Sequence, residues 1–497
     1  MTGVTAISET RPTLPSPSVA IAGIGAGLYA VFLFLSVRME LPAFGHDFYD
    51  QVWLALREGR LDLPARVVRL EGHYTPDGTA HFYHGLAPLM TRALLAPVMA
   101  IGQVSLAPFS IWLWAVIGST LYHAAFLQVV PLAVPRARAI VSLLTWFGGP
   151  GILLAGSHAF YHEPIGQAYA LGGGFVLIWA RAVRAGRMSG AALMGLAALA
   201  AACVHARPSL AVAFYAGVVL AAGWALRAGG SRRLAPPLVA ISILGVGGGG
   251  YLALNEARFG AVSATHGSFE KSDIQYGTVF WGLEDEDDLR PRAFIDHGRL
   301  HAGRIVPNAL VYAALPPAQM IDANISAQLL HASYTLPRTG FTRIEAPVAG
   351  LLFLWTGWIV AASAGIAGLR HAAPGQRMLA GATGIGAILI LAYATITLRY
   401  LLDLWPFLAA LALIGLPRLV CRIGTMSRRR AMVLAVATGI GMGLNLQAAT
   451  DYRQMFREDP ASAFAAWDAA SCRARARTAS LPASRIGEIC RDPRVGT

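Results

Sequence analysis

The chain has 497 residues, of which 55% are hydrophobic and only 13% are charged, and its mean hydropathy is +0.52. Soluble domains carry about 25% charged residues, so this composition excludes a disordered chain and a string of ordinary soluble domains. The net charge of +13 does not indicate a nucleic-acid partner, because the arginines are concentrated in short loops between apolar segments.

Apolar segments of about 20 residues recur along the chain, and this is the length of helix that crosses a hydrocarbon core about 30 Å thick. We therefore predict an all-α polytopic membrane protein with about 11 transmembrane helices, within a range of 10–13. The range reflects one short, alanine-rich segment, 190–204. The predicted spans are 19–38, 107–130, 139–157, 164–181, 190–204, 209–226, 234–254, 347–369, 378–397, 401–417 and 431–448.

The apolar segment 86–101 is predicted to lie at the membrane interface rather than to cross, because it contains two prolines and an arginine. Five short loops then share one side of the membrane, and they contain many arginines but neither Asp nor Glu. These loops are 131–138, 181–189, 227–233, 370–377 and 418–430. Because short cytoplasmic loops are rich in arginine, we predict the N-terminus inside and the C-terminus outside.

This topology divides the chain into a transmembrane domain, 1–448, and an extracytoplasmic tail, 449–497. The domain includes a first extracytoplasmic loop with interfacial helices, 39–106, and a large second loop, 255–346, which carries the acidic run Glu284–Asp288. The N-terminal residues lack the n-region of a cleavable signal, so the first span is predicted to remain as an anchor.

The four cysteines are too few for a disulfide scaffold. Cys472 and Cys490 both lie in the tail, which faces an oxidising compartment in the predicted topology. A disulfide between them and two free thiols are both open alternatives. Cys203 and Cys421 are predicted to be inert thiols.

Three acidic residues lie where the outer loops meet the membrane. Asp47 and Asp50 follow the first span and share a face if their segment is helical. Glu163 directly precedes the span 164–181. Such acids are either solvated groups at headgroup level or a general base whose pKa is raised by partial desolvation. His162 and Glu163 alone are too few ligands to indicate a metal, so no metal site is predicted.

Two arginines lie at the predicted outer ends of spans, away from the arginine-rich loops: Arg207 in CVHARPSL and Arg399 in TLRYLLDLWPF. A guanidinium at this depth costs free energy unless it snorkels to water or is paired. A phosphate would suit both arginines, because guanidinium groups bind its oxygens in bidentate fashion. Alternatively, Arg399 has a structural partner in Asp403, which lies one turn later in the chain.

Aromatic and histidine side chains are frequent in the same layer, and most are typical of the interfacial belts of membrane proteins. His84 stands out because it begins the interfacial segment beside the proposed acids. Tyr83, His162 and Tyr400 are further candidates for substrate or donor contacts. The glycine run 245–250 lacks the Lys and Ser/Thr of a P-loop and predicts close helix packing.

The order of five segments resembles the GT-C class of membrane glycosyltransferases, the superfamily of the protein mannosyltransferases and the lipid A aminoarabinose transferases. In chain order, they are similar to five features of that class. These are the acid segment of the first loop, the Tyr- and Pro-rich interfacial segment, the acid segment of the second loop, the Arg-Pro and RFG segments, and a late span. The segments are HDFYDQVWLALREGRLDLP, DGTAHFYHGLAPLMTRALLAPVMAIG, FYHEPIGQAYALGGGFVL, HARPSLAVAF with NEARFGAVSATHGSFE, and LRYLLDLWPFLAALALIG. Together they cover most of residues 20–420 and say little about the sugar.

The resemblance implies a catalytic acid in the first outer loop that deprotonates or orients an acceptor hydroxyl. Asp47 matches this acid best, but relatives often have adjacent Asp-Glu where this chain has His46 and Asp47, so Asp50 remains open as the base. Glu163 matches the second-loop acid. The resemblance also implies that arginines at outer span ends hold the phosphate of a polyprenyl-phosphate sugar donor. Arg207 and Arg399 match these ligands.

The sequence therefore predicts a glycosyltransferase of a bacterial inner membrane with its active site facing the periplasm. Its partners would be the lipid-linked donor, membrane lipids and a glycolipid, polysaccharide or protein acceptor. No cofactor is required, and a divalent metal is not supported. The alternatives are a non-catalytic assembly subunit and a transporter or lipid flippase. A transporter would place ionisable residues near mid-bilayer and have pseudo-symmetric halves, and the sequence indicates neither.

Overall fold

The computed structural model describes residues 16–39, 43, 45–68, 71–229, 234–264, 275–276, 297–318, 320–322, 325, 328–330, 334, 336–340, 342–345, 348–423, 426–455 and 468–491. The acidic run Glu284–Asp288 lies outside these residues. The described part of the chain is mostly helical, with two small sheets.

The helices are numbered here in chain order. The first set is α1 (Pro17–Met39), α2 (Phe48–Arg57), α3 (Ala65–Val68), α4 (Leu89–Leu95), α5 (Ala107–Leu127), α6 (Pro135–Phe147), α7 (Pro150–Ala155), α8 (His162–Arg184), α9 (Gly190–Val204), α10 (Pro208–Gly229) and α11 (Ala235–Phe259). The second set is α12 (Ile305–Ala314), α13 (Leu336–Thr339), α14 (Leu351–Leu354), α15 (Thr356–Gly368), α16 (Pro374–Leu391), α17 (Leu401–Ile423), α18 (Arg428–Met455), α19 (Ala469–Thr478) and α20 (Ala483–Ile489). Single 3-10 turns occupy Ala302–Arg304, Leu369–His371 and Leu398–Tyr400.

Both sheets are built from loop segments. The strands are β1 (His73–Tyr74), β2 (Ala80–His81), β3 (Gln275–Tyr276), β4 (Arg343–Glu345) and β5 (Thr395–Thr397). β1 is the central strand of an antiparallel sheet with β2 and β3. β4 and β5 pair in parallel, with Glu345 opposite Thr397. This register brings Glu345 close to the residues that directly follow β5.

The long helices pack into one bundle, in which α5 lies along α8, α15 lies along α17, and α9 contacts α8, α10 and α11. Small residues allow such helices to approach closely. Within the glycine run 245–250, Gly247 packs against Ala201 of α9. A Cβ at position 247 would come within 2.5 Å of the Ala201 Cβ. The close packing predicted for this run therefore holds at Gly247.

Among the residues that the structure describes, seven helical segments are long and apolar enough to cross a membrane by length and composition. They are Pro17–Leu35, Ala107–Leu127, Pro135–Ala155, Pro208–Arg227, Ala235–Phe259, Leu398–Arg422 and Arg428–Met455. Helices α8, α9, α15 and α16 coincide with other predicted spans but do not meet this criterion. The structure thus supports several membrane crossings, fewer by this measure than the predicted eleven.

The segment 86–101 forms only the short helix α4, followed by turns. A helix of this length cannot cross a hydrocarbon core. Met90, Leu94 and Val98 are 41%, 62% and 80% exposed and are spaced four residues apart, so they form an apolar stripe. A stripe of this kind is typical of a helix that lies in the membrane interface.

Several predicted spans differ from the observed helices. The span 347–369 is divided between α14 and α15, and the span 378–397 extends past the end of α16 into β5. The span 139–157 is divided between α6 and α7 at Gly148 and Gly149, because Pro150 begins a new helix rather than continuing the first. At the other end of the chain, α18 continues past the predicted end of the last span at 448 to Met455. The first residues of the predicted tail therefore belong to this helix.

The C-terminal segment packs against the region between α1 and α5. Cys472 and Cys490 form a disulfide with a Cα–Cα distance of 5.7 Å, which resolves the alternative that the sequence left open. Ile486 of α20 joins Val68 of α3 and Phe82 in a hydrophobic core separate from that of the helical bundle. This small core therefore joins the C-terminal helices to α2 and α3.

Loss of the disulfide should loosen this small core. Cys472→Ser/Cys490→Ser removes a constraint on the unfolded chain, and a loop of this length contributes about 3 kcal/mol. We expect a lower thermal unfolding midpoint in detergent and faster amide exchange in residues 45–68. The matched control is Cys421→Ser, which removes an exposed free thiol. Equal midpoints and exchange rates for the two variants would contradict the prediction.

Candidate functional site

A buried ion triad joins α2, α4 and α8. Arg92 donates from Nε to Asp50 Oδ1 at 2.8 Å and from Nη2 to Glu163 Oε1 at 3.0 Å, and its Nη1 also contacts Glu163. None of the three side chains is more than 1% exposed. The second oxygen of Asp50 accepts a hydrogen bond from the backbone N–H of Leu106 at 3.1 Å. Both acids are thus engaged in joining helices.

The two first-loop acids have different surroundings. Burial raises the pKa of Asp50, although Arg92 and the Leu106 N–H act in the opposite direction. Asp47 is the N-cap of α2 and is only partly buried. Its side chain makes no hydrogen bond or ion pair with the residues that the structure describes. Asp47 is therefore the first-loop acid whose carboxylate is available.

Arg207 forms a bidentate ion pair with Asp403. Its Nε lies 3.0 Å from Oδ1 and its Nη2 lies 2.5 Å from Oδ2. The turn between α9 and α10, which carries Arg207, therefore faces the first turn of α17. The sequence offers Asp403 as a partner for the nearby Arg399. In the structure, Asp403 binds Arg207 instead.

Arg399 pairs with an acid that the sequence analysis did not select. Its Nη1 lies 2.7 Å from Glu345 Oε2 and also donates to the hydroxyl of Tyr452 at 3.2 Å. Burial opposes ionisation of Glu345, but the charges of Arg399 and Arg343 outweigh it and lower the pKa of Glu345. The parallel pairing of β4 with β5 produces this contact, because Arg399 follows β5 directly.

Aromatic rings connect the two paired arginines. The guanidinium carbons of Arg207 and Arg399 lie 5.0 and 5.3 Å from the centroid of the Tyr400 ring. Arg399 also lies 4.6 Å from the centroid of Tyr161, and the ring of His84 is 5.8 Å from that of Tyr161. A cation over an aromatic face at such a distance is attracted electrostatically to the ring. These contacts bring Arg207, Arg399, Tyr400 and His84 into one cluster.

The segment 82–87 forms one wall of this cluster. Ala87 donates its N–H to the carbonyl of His205 at 3.0 Å, and a Cβ at Gly85 would clash with the same carbonyl. The close approach therefore requires glycine at position 85. It holds His84 beside the turn that carries Arg207, and the ring of Tyr83 lies 3.9 Å from that of His84.

The surroundings of His84 keep its imidazole neutral. Burial, followed by the positive charges of Arg207, His73, Arg399 and Arg258, holds the pKa of His84 well below its ordinary value. Its Nε2 atom is buried and has no hydrogen-bond partner among the described residues. His84 is therefore a polar group inside a positively charged site.

The remaining candidates lie around this cluster. His162 lines a small cavity with Arg399 and Tyr452, and its ring is 5.5 Å from that of Tyr452. Asp47 is next to Phe48, whose ring lies 5.0 Å from that of Phe160, the neighbour of Tyr161. Asp47 thus begins its helix close to the cluster, whereas Asp50 and Glu163 belong to the ion triad.

Several residues of this region were not selected from the sequence. Arg92 was noted only as an obstacle to membrane crossing, and Glu345 and Tyr452 lie far from Arg399 in the chain. Arg258 of α11 offered a usable signal, because it lies at the end of a span, as Arg207 and Arg399 do. No group of three or more His, Cys, Asp or Glu side chains that could hold a metal occurs among the described residues.

Removal of the central cation should destabilise the protein strongly. Arg92→Met leaves the buried carboxylates of Asp50 and Glu163 without a counter-charge, and such a change costs about 3–5 kcal/mol. We expect a large fall in the thermal unfolding midpoint, and its recovery in the triple variant Asp50→Asn/Arg92→Met/Glu163→Gln.

The matched control for that experiment is Arg60→Met. Arg60 pairs with Glu58 at the surface and is 43% exposed, and exposed pairs contribute about 0–1 kcal/mol. An Arg92→Met midpoint as high as that of Arg60→Met would contradict the structural role of the triad.

Buried histidines should make the region between α1 and α5 sensitive to acid. Burial lowers the pKa of His73 to about 3, so below pH 6.5 the unfolded chain binds a proton that the folded protein excludes. Stability should therefore fall as the pH drops below 6.5, by about 1.4 kcal/mol per pH unit for this group. His73→Gln should flatten the dependence of unfolding on pH between 6.5 and 5. The exposed His371 provides the control, and equal slopes for His73→Gln and His371→Gln would refute the assignment.

Comparison of the sequence with protein-family models and with curated proteins gave no match. Among solved structures, the chain is similar to the Archaeoglobus fulgidus oligosaccharyltransferase in its apo form, with 13% sequence identity and a TM-score of 0.42. The alignment covers 90% of this chain and 56% of that chain, so this chain spans little more than half the length of that protein. At this identity and score, the similarity establishes neither family nor activity.

Proposed function

We propose that this protein is a membrane glycosyltransferase that moves a sugar from a polyprenyl-phosphate donor to an extracytoplasmic acceptor. The acceptor is a glycolipid, a polysaccharide or a protein. The observation that carries the proposal is the cluster of Arg207, Arg399, Tyr400 and His84. The partly buried Asp47 begins the helix whose Phe48 packs on Phe160, the neighbour of Tyr161 in the chain. Together, the cluster and Asp47 combine donors for a phosphate, aromatic faces for a sugar, and a carboxylate free to accept a proton.

The reaction is a substitution at the anomeric carbon of the sugar. The acceptor hydroxyl oxygen forms a bond to this carbon, and the bond from the carbon to the phosphate oxygen breaks with its electron pair. The phosphodiester of the donor thereby becomes a phosphomonoester that carries additional negative charge. The protein must position the reactants and stabilise this charge, and both tasks are large contributions to catalysis.

Asp47 is the proposed general base, which accepts the proton of the acceptor hydroxyl. Asp50 is unsuited to this role because its two oxygens already bind Arg92 and the Leu106 N–H. Glu163 is likewise bound to Arg92 through both of its oxygens. We therefore assign Asp50 and Glu163 to positioning, since they fix the start of α2 against α4 and α8.

The aromatic and arginine side chains bind the donor in this proposal. Arg207 and Arg399 donate hydrogen bonds to the phosphate, and Tyr400 keeps the two guanidinium groups apart. Tyr83 and His162 contact the sugar or the acceptor, and His84 contacts the donor. The site requires no metal for this chemistry, because the lipid phosphate is already a good leaving group when hydrogen-bond donors surround it.

Donor cleavage by the purified protein tests the proposal. The protein in lipid nanodiscs is incubated with a panel of short-chain polyprenyl-phosphate sugars and cell-envelope extract as the acceptor source, and released polyprenyl phosphate is measured. We expect release from one donor, and a reduction of about 100-fold or more in Asp47→Asn, because general bases contribute about 10²–10⁴ in rate.

The matched control is Glu58→Gln, at the opposite end of α2, where the acid is 63% exposed and pairs with Arg60. This variant should retain the wild-type rate. Release from no donor in the panel would refute the proposed function. Wild-type release by Asp47→Asn would refute only the assignment of Asp47 as the base.

A further inference from the structure

Arg258 differs from the other arginines of the cluster in its charge balance. Arg207 is neutralised by Asp403, and Arg399 is neutralised by Glu345. Arg258, at the end of α11, is 4% exposed and makes no ion pair with a carboxylate among the described residues. A buried charge without a partner is costly. Arg258 therefore marks a place where a negative charge is missing.

Most of the hydrogen-bonding capacity of Arg258 is unused. A guanidinium has five N–H donors, and Arg258 makes one hydrogen bond to the described residues, from Nη1 to the carbonyl of His84 at 2.8 Å. Its Nε is buried without a partner. The fully buried Arg304 also has one unpaired nitrogen, Nη2. It differs in donating to three backbone carbonyls, those of Thr339, Gly298 and Arg299, which indicates a structural role.

Three further polar groups around the segment 82–87 are buried without a partner among the described residues. The Tyr49 hydroxyl, the Oε1 of Gln167 and the Nε2 of His84 all lack a hydrogen bond. Tyr49 and Gln167 are no more than 1% exposed. The amide nitrogen of Gln167 donates to the carbonyl of Ala87 at 2.8 Å, and the Tyr49 ring lies 5.3 Å from that of Phe82. Unpaired polar groups are expensive to bury, and each of these three residues belongs to or contacts the segment 82–87.

We propose that Arg258 is the principal counter-charge for a lipid phosphate bound against the segment 82–87, with hydrogen bonds from the Tyr49 hydroxyl and His84. This inference rests on the proposed function and adds a division of labour to it. Arg207 and Arg399 are each paired with a carboxylate of the protein, so they supply hydrogen bonds but little net charge. Arg258 supplies the positive charge that a phosphate monoanion neutralises.

Removal of Arg258 should have an unusual effect on the unfolding midpoint. A residue that packs the fold should lower the unfolding midpoint when it is removed. Arg258→Met instead removes an uncompensated buried charge while retaining an apolar chain of similar length, so the unliganded variant should be as stable as the wild type or more stable. Arg207→Met should show the opposite effect, because it leaves Asp403 buried without its cation.

The test measures phosphate binding without sugar or acceptor. Farnesyl phosphate, farnesol and inorganic phosphate are titrated into the purified protein in detergent, and affinity and the unliganded unfolding midpoint are recorded. We expect farnesyl phosphate to bind and farnesol not to bind. Arg258→Met should weaken farnesyl phosphate at least tenfold with no fall in the midpoint, and Arg258→Lys should recover most of the affinity.

The control is Arg370→Met, which removes an exposed arginine from the 3-10 turn Leu369–His371 and should change neither affinity nor midpoint. Tighter binding of farnesyl phosphate than of inorganic phosphate assigns the site to a lipid, and equal binding assigns it to free phosphate. Unchanged affinity in Arg258→Met, a lower midpoint, or failure of this variant to fold would overturn the proposal.

The same experiments separate the two proposals of function. If the wild type binds farnesyl phosphate through Arg258 but cleaves no polyprenyl-phosphate sugar, the transferase assignment fails and the phosphate site stands. If the wild type cleaves a donor and Arg258→Met retains full affinity and rate, the role of Arg258 fails and the transferase assignment stands.

Discussion

Neutralisation of buried charge determines how the loops are attached to the helical bundle. Arg92 binds Asp50 and Glu163, which are 42 and 71 residues away in the chain, and Arg207 binds Asp403 across 196 residues. A guanidinium removed from water loses several kcal/mol of solvation and regains it only in well-formed ion pairs. Each of these arginines therefore pairs with a distant segment of opposite charge. Together they fix α2, α4 and the start of α17 relative to α8 and α10.

The sequence was sufficient for the properties that depend on composition and on local pattern. The apolar segments, the non-crossing segment 86–101 and the glycine packing at position 247 could all be inferred from the lengths of hydrophobic runs and the residues that interrupt them. The structure also brings together Arg207, Arg399, Tyr400 and His84, and the two arginines were conspicuous in the sequence because an arginine at the end of a span is costly. These inferences required no knowledge of which segments meet.

The partners of these residues could not be predicted, because they depend on tertiary contacts. Glu345 reaches Arg399 only through the parallel register of β4 with β5, two strands of three residues without a distinctive sequence. Asp47 and Asp50 are equivalent in a sequence pattern, and only the positions of Arg92 and the Leu106 N–H distinguish them. A carboxylate can therefore be assigned as a base only after the groups that already bind its oxygens are known.

The pairing of Arg207 and Arg399 also limits how they can act in catalysis. An arginine that is already balanced by a carboxylate can orient a phosphate through its remaining N–H donors, but it adds little to the net potential at the site. Charge that develops on the leaving phosphate must then be met by a cation with no carboxylate partner, or by donors fixed in advance in a dry environment. Arg258 and the unpaired polar groups around the segment 82–87 satisfy both conditions. Two arginines paired with carboxylates, together with one arginine that has no carboxylate partner among the described residues, are thus a chemically consistent way to bind a lipid phosphate and release it after its sugar has been transferred.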